Sequence, residues 1–264
     1  MSQIESPQNP RLKAVRRLHT KRERARSGTF LAEGEDLIAA AKRAGRPVLE
    51  GYRLAGCSLG EESFHDVERA ALASVSALGS GTRVLAVYEQ RWVTAAGPLC
   101  VYLHRVGDPG NVGTVLRSAQ AFGASCVALG PGCADPHGPK AVRASMGAIF
   151  TAQLARVSDL AQLPGELIAL AADAEEMLRG PSDDRQVGTT TSEPEADGGV
   201  GRGSVTLLIG AEREGLPDTV TAACDRVARI PIASDSLNAA MAATVALYEM
   251  TRRGGRHRDT VPAS

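Results

Sequence analysis

The sequence predicts an α/β protein of two domains with a mostly parallel sheet, and three observations support this prediction. Segments typical of strands alternate with segments typical of helices along most of the 264 residues, which is the pattern of a parallel sheet covered by helices on both faces. The alternation breaks at residues 90–98, around Gly97 and Pro98. Aromatic residues make up only 3% of the chain, so Ala, Val, Leu and Ile must form both cores.

The composition excludes several classes of protein. The chain has 30 basic and 30 acidic residues, with 43% hydrophobic residues, which is ordinary for a globular protein and excludes a fully disordered chain. The five cysteines have no C-x-x-C spacing, so we expect reduced thiols and no metal site. No apolar run reaches the ~18 residues that cross a bilayer, and the N-terminus lacks the apolar stretch of a signal peptide. We therefore expect a cytoplasmic protein without a membrane segment.

The first 27 residues form a basic N-terminal arm or helix in our division of the chain. Residues 11–26 hold eight basic residues and one acid, Glu23. Leu12, Val15 and Leu18 are spaced by three, which predicts a short amphipathic helix. This pattern is typical of a solvated surface helix or of a phosphate-binding arm, and the density of charge favours the arm. The apolar face is narrow, which disfavours attachment to a membrane. The RNA-binding candidates in this segment are Arg11, Lys13, Arg16, Arg17, Lys21 and Arg22.

Residues 28–95 are expected to fold as a small α/β domain. The predicted strands are 30–32, 48–56 and 82–89, and the predicted helices are 34–45 and 62–78. Gly45 follows the last apolar position of the first helix, as a glycine commonly does at a helix end.

Residues 96–264 are expected to fold as a second α/β domain. The predicted strands are 99–106, 125–130, 166–173, 205–210 and 227–232, and the predicted helices are 110–123, 139–147 and 236–253. Residues 179–204 are rich in Gly, Ser, Thr, Pro and acidic residues and nearly lack large apolar side chains. This composition predicts a disordered insertion between two strands.

Three segments of the second domain stand where open α/β sheets bind ligands, beyond the carboxyl ends of strands. They read N-x-G-x-x-x-R-x-A from Asn111, I-G-x-E-x-x-G-L from Ile209, and I-P-I-x-x-x-S-L-N-x-x-x-A from Ile230. Each segment alone is compatible with a tight turn, a helix cap or surface charge. No G-x-x-x-x-G-K-[ST] pattern occurs, which excludes a P-loop nucleotide-binding protein.

In this order, the three motifs resemble the signature motifs of the SpoU/TrmH branch of the SPOUT RNA methyltransferases. The opening I-x-S-x-x-N-P-R-L-K, the F-L-A-E-G-E-D-L at 30–37 and the strand at 81–87 are similar to the substrate-binding domain of that branch. The resemblance implies a C-terminal SPOUT domain with a deep trefoil knot. It also implies that residues 28–95 form an RNA-binding domain with a fold like that of a ribosomal protein.

The resemblance further implies methyl transfer from S-adenosylmethionine to a ribose 2′-hydroxyl of RNA. In the family the cofactor is held mainly by backbone groups, which correspond here to Gly210, Ile230, Ile232 and Leu237. The sulfonium is a good leaving group, so the transfer needs no metal. Ala211 stands where the family often has Asn, which removes a side-chain hydrogen bond and leaves the backbone contact.

The residues that the resemblance implies for catalysis are Arg117, Asn111, Glu212, Ser236 and Asn238. Arg117 has two candidate roles: a base after reorganisation by a substrate phosphate, or a phosphate ligand that stabilises alkoxide charge. Glu212 is expected to pair with Arg117 or with a basic residue across a dimer. Arg143, in R-A-S-M-G, is a candidate RNA contact, and a plain helix face explains it equally well.

The function expected from the resemblance is 2′-O-methylation of RNA by a homodimer in which each site is completed across the interface. The separate N-terminal domain favours ribosomal RNA, 23S RNA in particular. The alternatives are a tRNA 2′-O-methyltransferase and a non-catalytic RNA-binding or ribosome-assembly protein. The presence of Arg117, Glu212, Ser236 and Asn238 argues against the non-catalytic alternative. A methyltransferase for a small molecule is disfavoured by the basic N-terminal segment.

Overall fold

The computed structural model describes residues 3–77, 81–180, 203–233 and 236–252. Most of the predicted insertion 179–204 lies outside these residues. Within the described residues, no helix is long and apolar enough to cross a membrane.

The N-terminal part contains a four-stranded sheet in the order β1-β4-β2-β3 within its described residues. Its elements are α1 Pro10–Arg17, α2 Lys21–Ser27, β1 Thr29–Glu33, α3 Glu35–Arg43, β2 Glu50–Leu54, β3 His65–Val67, α4 Arg69–Ala73 and β4 Val84–Glu89. The central strand β4 pairs antiparallel with both β1 and β2, and β3 pairs parallel with β2.

The basic N-terminal segment forms two helices. The α1 helix ends at Leu18, Thr20 caps α2, and Gly28 ends α2 with a φ of 67°, a conformation that glycine adopts without strain. The predicted apolar face of Leu12, Val15 and Leu18 is buried in a core cluster with side chains of β2, β4 and α4. The basic segment is therefore packed onto the N-terminal sheet through these apolar residues, and most of its basic side chains are exposed, with Arg24 buried.

The predicted helix 62–78 is wrong in its first part. Residues 65–67 form β3, and the helix in this region is only the five residues of α4, which Glu68 caps through its side chain. Pairing with Tyr52, Arg53 and Leu54 of β2 extends this stretch, although its sequence has no alternation typical of a strand.

The C-terminal part contains a seven-stranded parallel sheet in the order β7-β6-β5-β10-β8-β11-β9, counted over the described residues. Its elements are β5 Leu99–Leu103, α5 Pro109–Ala121, β6 Cys126–Leu129, α6 Pro139–Ala144, β7 Leu154–Arg156, β8 Glu166–Leu170, β9 Glu176–Met177, β10 Val205–Ile209, α7 Asp218–Thr221, β11 Arg226–Arg229 and α8 Ala239–Thr251. The short strands β7 and β9 at the sheet margins were not predicted. Because the strands are parallel, the loops after β5, β10 and β11 meet at one edge, which we call the motif edge.

The two parts share one continuous hydrophobic core. It joins Phe30 and Tyr88 of the N-terminal sheet to Phe150 and the strands of the parallel sheet, and the Tyr88 and Phe150 rings meet edge to face with centroids 4.9 Å apart. Polar contacts accompany these rings: Arg24 pairs with Asp135 at 2.8 Å. We call this contact zone the interdomain seam, formed by Arg24, Phe30, Arg46, Tyr88, Asp135, His137 and Phe150.

Candidate active site

The first motif is placed by the start of α5. Asp108 caps the helix by accepting from the Asn111 N–H at 2.9 Å, and Pro109 occupies the first turn, as proline favours. Lys140 of α6 donates to the other Asp108 oxygen at 2.7 Å, and this hydrogen bond lowers the pKa of Asp108. Asn111 is thereby fixed in the first helical turn, beyond the end of β5.

The three motifs are joined by a chain of hydrogen bonds at the motif edge. Asn238 begins α8 and accepts from the N–H groups of Ala240 and Met241 at 2.9 and 3.3 Å. Its side-chain amide nitrogen donates to the side-chain oxygen of Asn111 at 3.1 Å. The Asn111 amide nitrogen in turn donates to a carboxylate oxygen of Glu212.

The hydrogen bonds in this series all point the same way, because in Asn238 and in Asn111 the side-chain oxygen accepts one hydrogen bond and the side-chain nitrogen donates another. The N–H groups of α8 require the Asn238 oxygen, so its nitrogen must face Asn111, and the Asn111 nitrogen must face Glu212. Coupled hydrogen bonds of this kind strengthen one another and hold side chains rigidly. The arrangement presents Glu212 as an anchored anion at the junction of the three motifs.

Arg117 does not join this chain. It lies on the exposed face of α5, six residues and therefore about 9 Å along the axis from Asn111, and has no hydrogen bond or ion pair with the described residues. The pairing of Glu212 with Arg117 is thus not formed in the structure; Glu212 binds Asn111 instead. No described residue neutralises the Arg117 guanidinium, which leaves it available to an external group.

A pocket lies against the second and third motifs at the ends of β8, β10 and β11. Its wall is mainly aliphatic and includes every predicted cofactor contact; the lining from these motifs is Ile209, Gly210, Ala211, Glu212, Gly215, Ile230, Ile232, Ser236, Leu237, Ala239 and Ala242. At Gly210 an added Cβ would lie 2.1 Å from the Gly215 backbone, so only glycine permits this loop to close. A mainly apolar wall at the ends of parallel strands fits an organic ligand with a large flat ring system.

The basic residues predicted to bind RNA separate into two groups. Arg11 pairs with Glu50, Arg16 donates to Ser74 and to the Pro7 carbonyl, and Arg143 pairs with Asp36 at 2.9 Å. In contrast, a second group has exposed side chains without a hydrogen bond or ion pair in the described part of the chain. That group is Lys13, Arg17, Lys21 and Arg22.

The contribution of Asp108 and Lys140 was missed at the level of sequence. Asp-Pro-Gly ahead of an apolar-periodic segment is a helix-start signal and identifies Asp108 as the cap. Lys140 carries no such signal, because it comes from another helix, 32 residues away. Over the described residues, no group of three or more His, Cys, Asp or Glu side chains is placed to hold a metal ion.

Comparison with known families gives two matches along the chain. Residues 98–248 match the model of the SpoU rRNA methylase family, and residues 9–90 match an MRM3-like substrate-binding domain. These matches confirm the family resemblance and the presence of a separate N-terminal substrate-binding domain.

Curated relatives are similar over part or all of the chain. An uncharacterized tRNA/rRNA methyltransferase of Mycobacterium bovis is 36% identical over 164 residues, which is 61% of this chain and 54% of that protein. The chain therefore spans about half the length of that relative. The 23S rRNA (guanosine(2553)-2′-O)-methyltransferase RlmP of Bacillus subtilis is 29% identical over 95% of this chain and 99% of its own length.

Solved structures confirm the α/β fold. An rRNA methyltransferase from Sinorhizobium meliloti superimposes with a TM-score of 0.75 at 27% identity, covering 94% of this chain and 96% of that one. The SpoU methyltransferase AviRb from Streptomyces viridochromogenes, in complex with the cofactor AdoMet, gives a TM-score of 0.75 at 25% identity, covering 92% and 97%.

Proposed function

The chain belongs to the SpoU rRNA methylase family, and we propose that it transfers a methyl group from S-adenosylmethionine to a ribose 2′-hydroxyl of 23S ribosomal RNA. The observation that carries the proposal is the hydrogen-bonded chain of Asn238, Asn111 and Glu212, which ties the three motifs together beside an aliphatic pocket. A non-catalytic member of the family would not need this series of hydrogen bonds for binding RNA.

Ribosomal RNA is the substrate that the relatives favour. The RlmP relative, which covers nearly the whole chain, is named for 23S RNA, and so is a Streptomyces viridochromogenes protein that is 36% identical over 59% of this chain. The name of the Mycobacterium bovis relative mentions both tRNA and rRNA and does not separate the two. The methyl-transfer experiment below separates the two RNAs directly.

Gly210, Ile230, Ile232 and Leu237 would hold S-adenosylmethionine, which supplies an electrophilic methyl group when bound. The three aliphatic side chains line one side of the pocket and would pack against the bound cofactor. Gly210 lets the loop backbone close without a Cβ in the way, so that peptide groups face the ligand. Ser236 lies on the same wall and orients the reacting groups together with Asn238.

Arg117 would bind the substrate phosphate and stabilise negative charge on the ribose oxygen as it attacks. A guanidinium stays protonated in proteins, so a fixed cation suits this role better than a base does. Its lack of an acidic partner in the described part of the chain leaves the charge available for RNA. Such electrostatic stabilisation is commonly the largest single contribution to catalysis.

The assembly would be a homodimer. The α8 helix carries an exposed apolar stripe of Met241, Val245 and Tyr248, with 61%, 41% and 55% of their surfaces exposed. A stripe of this kind is typical of a protein interface. It runs beside α5, which carries Arg117, so a second copy on this stripe would lie close to the catalytic side chain. Sedimentation of the purified protein tests the dimer.

The remaining implications of the family are part of the same proposal. The C-terminal chain would form the trefoil knot that the family resemblance implies. The protein would act in the cytoplasm, where ribosomal RNA is made, without a metal. The division at 1–27, 28–95 and 96–264 also stays a prediction.

The proposed function is tested with methyl-labelled S-adenosylmethionine and size-fractionated RNA, free and in ribosomal particles, from a strain that lacks the gene. We expect label in the 23S fraction and resistance to alkaline cleavage at one nucleotide. Arg117→Ala should lower the rate by about a hundredfold or more and leave cofactor binding unchanged. Arg226→Ala, at the amino end of β11 and therefore at the edge of the sheet opposite the motif edge, is the control and should keep full activity.

Three outcomes would contradict the proposal. Label only in the tRNA fraction would favour the tRNA alternative. Label that leaves the RNA sensitive to alkali would place the methyl group on a base. Absence of label from free RNA and from particles would favour the non-catalytic alternative.

A further inference from the structure

A second cavity, of about 460 Å³, lies outside the methyl-transfer pocket, between α2 and the carboxyl ends of β6 and β7. Lys21 of α2, Trp92 of the segment between the two domains, Arg156 at the end of β7 and the loop 130–136 contribute to its wall. Its volume falls in the range of about 300–1,000 Å³ that is usual for sites of small organic groups.

Trp92 is held rigidly in this wall. Its indole N–H donates to the Gln90 side-chain oxygen at 3.2 Å, and the His137 ring meets it edge to face with centroids 5.2 Å apart. The Arg156 guanidinium carbon lies 4.0 Å from the Trp92 ring centroid, a cation–π contact. The indole and the guanidinium thus form a pre-positioned stack of flat groups at the cavity.

The charge of this cavity is positive. Lys21 and Arg156 are exposed, and neither has an ion pair with any described residue. The one acid in the lining, Asp135, is already paired with the buried Arg24 at 2.8 Å. A cavity that combines a flat π surface with unneutralised cations suits a base and its phosphate.

The cavity is connected to the methyl-transfer site along the motif edge. The Arg105 N–H, just beyond β5, donates to the Pro131 carbonyl of the cavity loop at 3.0 Å. The Arg105 guanidinium lies 3.9 Å from the Glu214 carboxylate, two residues after Glu212. Since β5 and β6 are neighbouring strands about 5 Å apart, the cavity and the catalytic loop lie side by side at the same edge of the sheet.

We propose that this cavity binds one unstacked nucleotide of the RNA strand, near the nucleotide that is methylated, with its base on the Arg156–Trp92 stack and its phosphate at Lys21. This inference rests on the proposed function for its ligand, an RNA, but its test does not need methyl transfer. The site selects single-stranded RNA, because a base inside a duplex cannot reach the stack.

Trp92 is the only tryptophan in the chain, so tryptophan emission, excited at a wavelength that tyrosine does not absorb, reports on this cavity alone. We titrate the cofactor-free protein with a single-stranded RNA of about twelve nucleotides and with the same sequence as a duplex. The single strand should quench Trp92 emission in a saturable way, and the duplex should quench it much less. Arg156→Gln should weaken the binding by about tenfold, and Lys21→Gln should weaken it and reduce its salt dependence.

Two further variants make the test specific. Arg226→Gln removes the same charge from β11, which lies toward the other margin of the parallel sheet from β6 and β7, and should leave the titration unchanged. Arg156→Lys keeps the charge and loses the flat group, so it should weaken binding nearly as much as Arg156→Gln. The proposal is overturned if single-stranded RNA leaves the emission unchanged, if Arg226→Gln has the effect of Arg156→Gln, or if Arg156→Lys restores full affinity.

The fluorescence result and the methyl-transfer result can fail separately. Methylation of RNA without any response of Trp92 would remove the nucleotide site and leave the proposed function standing. A specific response of Trp92 without methylation would support the site and remove the proposed reaction.

Discussion

The interdomain seam and the motif edge use arginine in opposite ways. In the seam, Arg24 donates to Asp135 and to the Leu18 carbonyl, and Arg46 donates to the carbonyls of Glu89 and Phe150. On α5, the helix that begins at the motif edge, Arg117 is exposed and has no such partner in the described part of the chain. Arginine in the seam therefore stabilises the fold, whereas Arg117 remains available for an external anion.

The difference shows why a count of basic residues is a poor guide to an RNA surface. Arg24 stands in the same basic segment as Lys21 and Arg22, but it is buried and paired. The sequence cannot tell these residues apart, because the partner of Arg24 lies 111 residues away. Only the packing of α2 against the loop 130–136 decides which cations remain free.

The largest expected effect is the loss of folding stability when the ion pair of the interdomain seam is removed. Arg24→Ala should lower the free energy of unfolding by about 3–5 kcal/mol, because it leaves the Asp135 carboxylate without its partner. Urea denaturation measures the change, and the shared core predicts a single transition. Arg26→Ala, which breaks an exposed pair with Glu23 on the same helix, should have no detectable effect. Equal stability of the two variants would contradict the structural role of Arg24.

The next largest effect is on methyl transfer, and substitutions of Asn238 distinguish its role in catalysis from its role in stability. Asn238→Asp keeps the oxygen that caps α8 but loses the amide that donates to Asn111. We expect an unchanged melting temperature and methyl transfer about a hundredfold slower, since orientation at the site is lost. Asn238→Ala loses both contacts and should also reduce stability, by about 1 kcal/mol. A lower melting temperature of Asn238→Asp, together with slow methyl transfer, would contradict a role of this amide that is separate from stability.

These predictions also show how much of the site could be read from sequence. The motifs placed Asn111, Glu212 and Asn238 at strand ends, and β5, α5, β10 and α8 begin within three residues of their predicted starts. The strands β3, β7 and β9 were not predicted, because two or three residues are too few to show a period of two. The direction of the amide chain was also beyond the sequence, because it depends on how α8 docks against α5.

A smaller effect concerns the pH dependence of the seam. Burial lowers the pKa of His137 from 6.5 to about 4. Between these two pH values the ring is neutral in the folded protein and protonated in the unfolded chain. The stability that results is present above pH 6.5 and is lost as the pH falls toward 4. His137→Phe should flatten this part of the stability profile in urea titrations at a series of pH values. The same slope in both proteins would exclude His137 as its source.

The smallest effect sharpens the distinction between free and paired cations on one helix. Lys13→Gln with Arg17→Gln should reduce the salt dependence of binding to single-stranded RNA, by about 0.7 in the logarithmic slope for each cation. Arg11→Gln removes a cation that is already paired with Glu50 and should change the slope less. Binding measured from low to moderate salt gives the slopes. An equal change per residue in both variants would show that pairing within the protein does not decide which cations meet RNA.

The continuous core between the two parts sets a condition on any RNA that this protein methylates. Phe30 and Tyr88 from one side and Phe150 from the other pack as one body, so the free cations of α1 and α2 stand at a fixed distance from Arg117. Under the proposed function, this distance sets the separation between the part of the RNA that docks on the free cations and the ribose that is methylated. An RNA is a substrate when the distance from its docking element to its target ribose matches this separation, whatever the sequence in between.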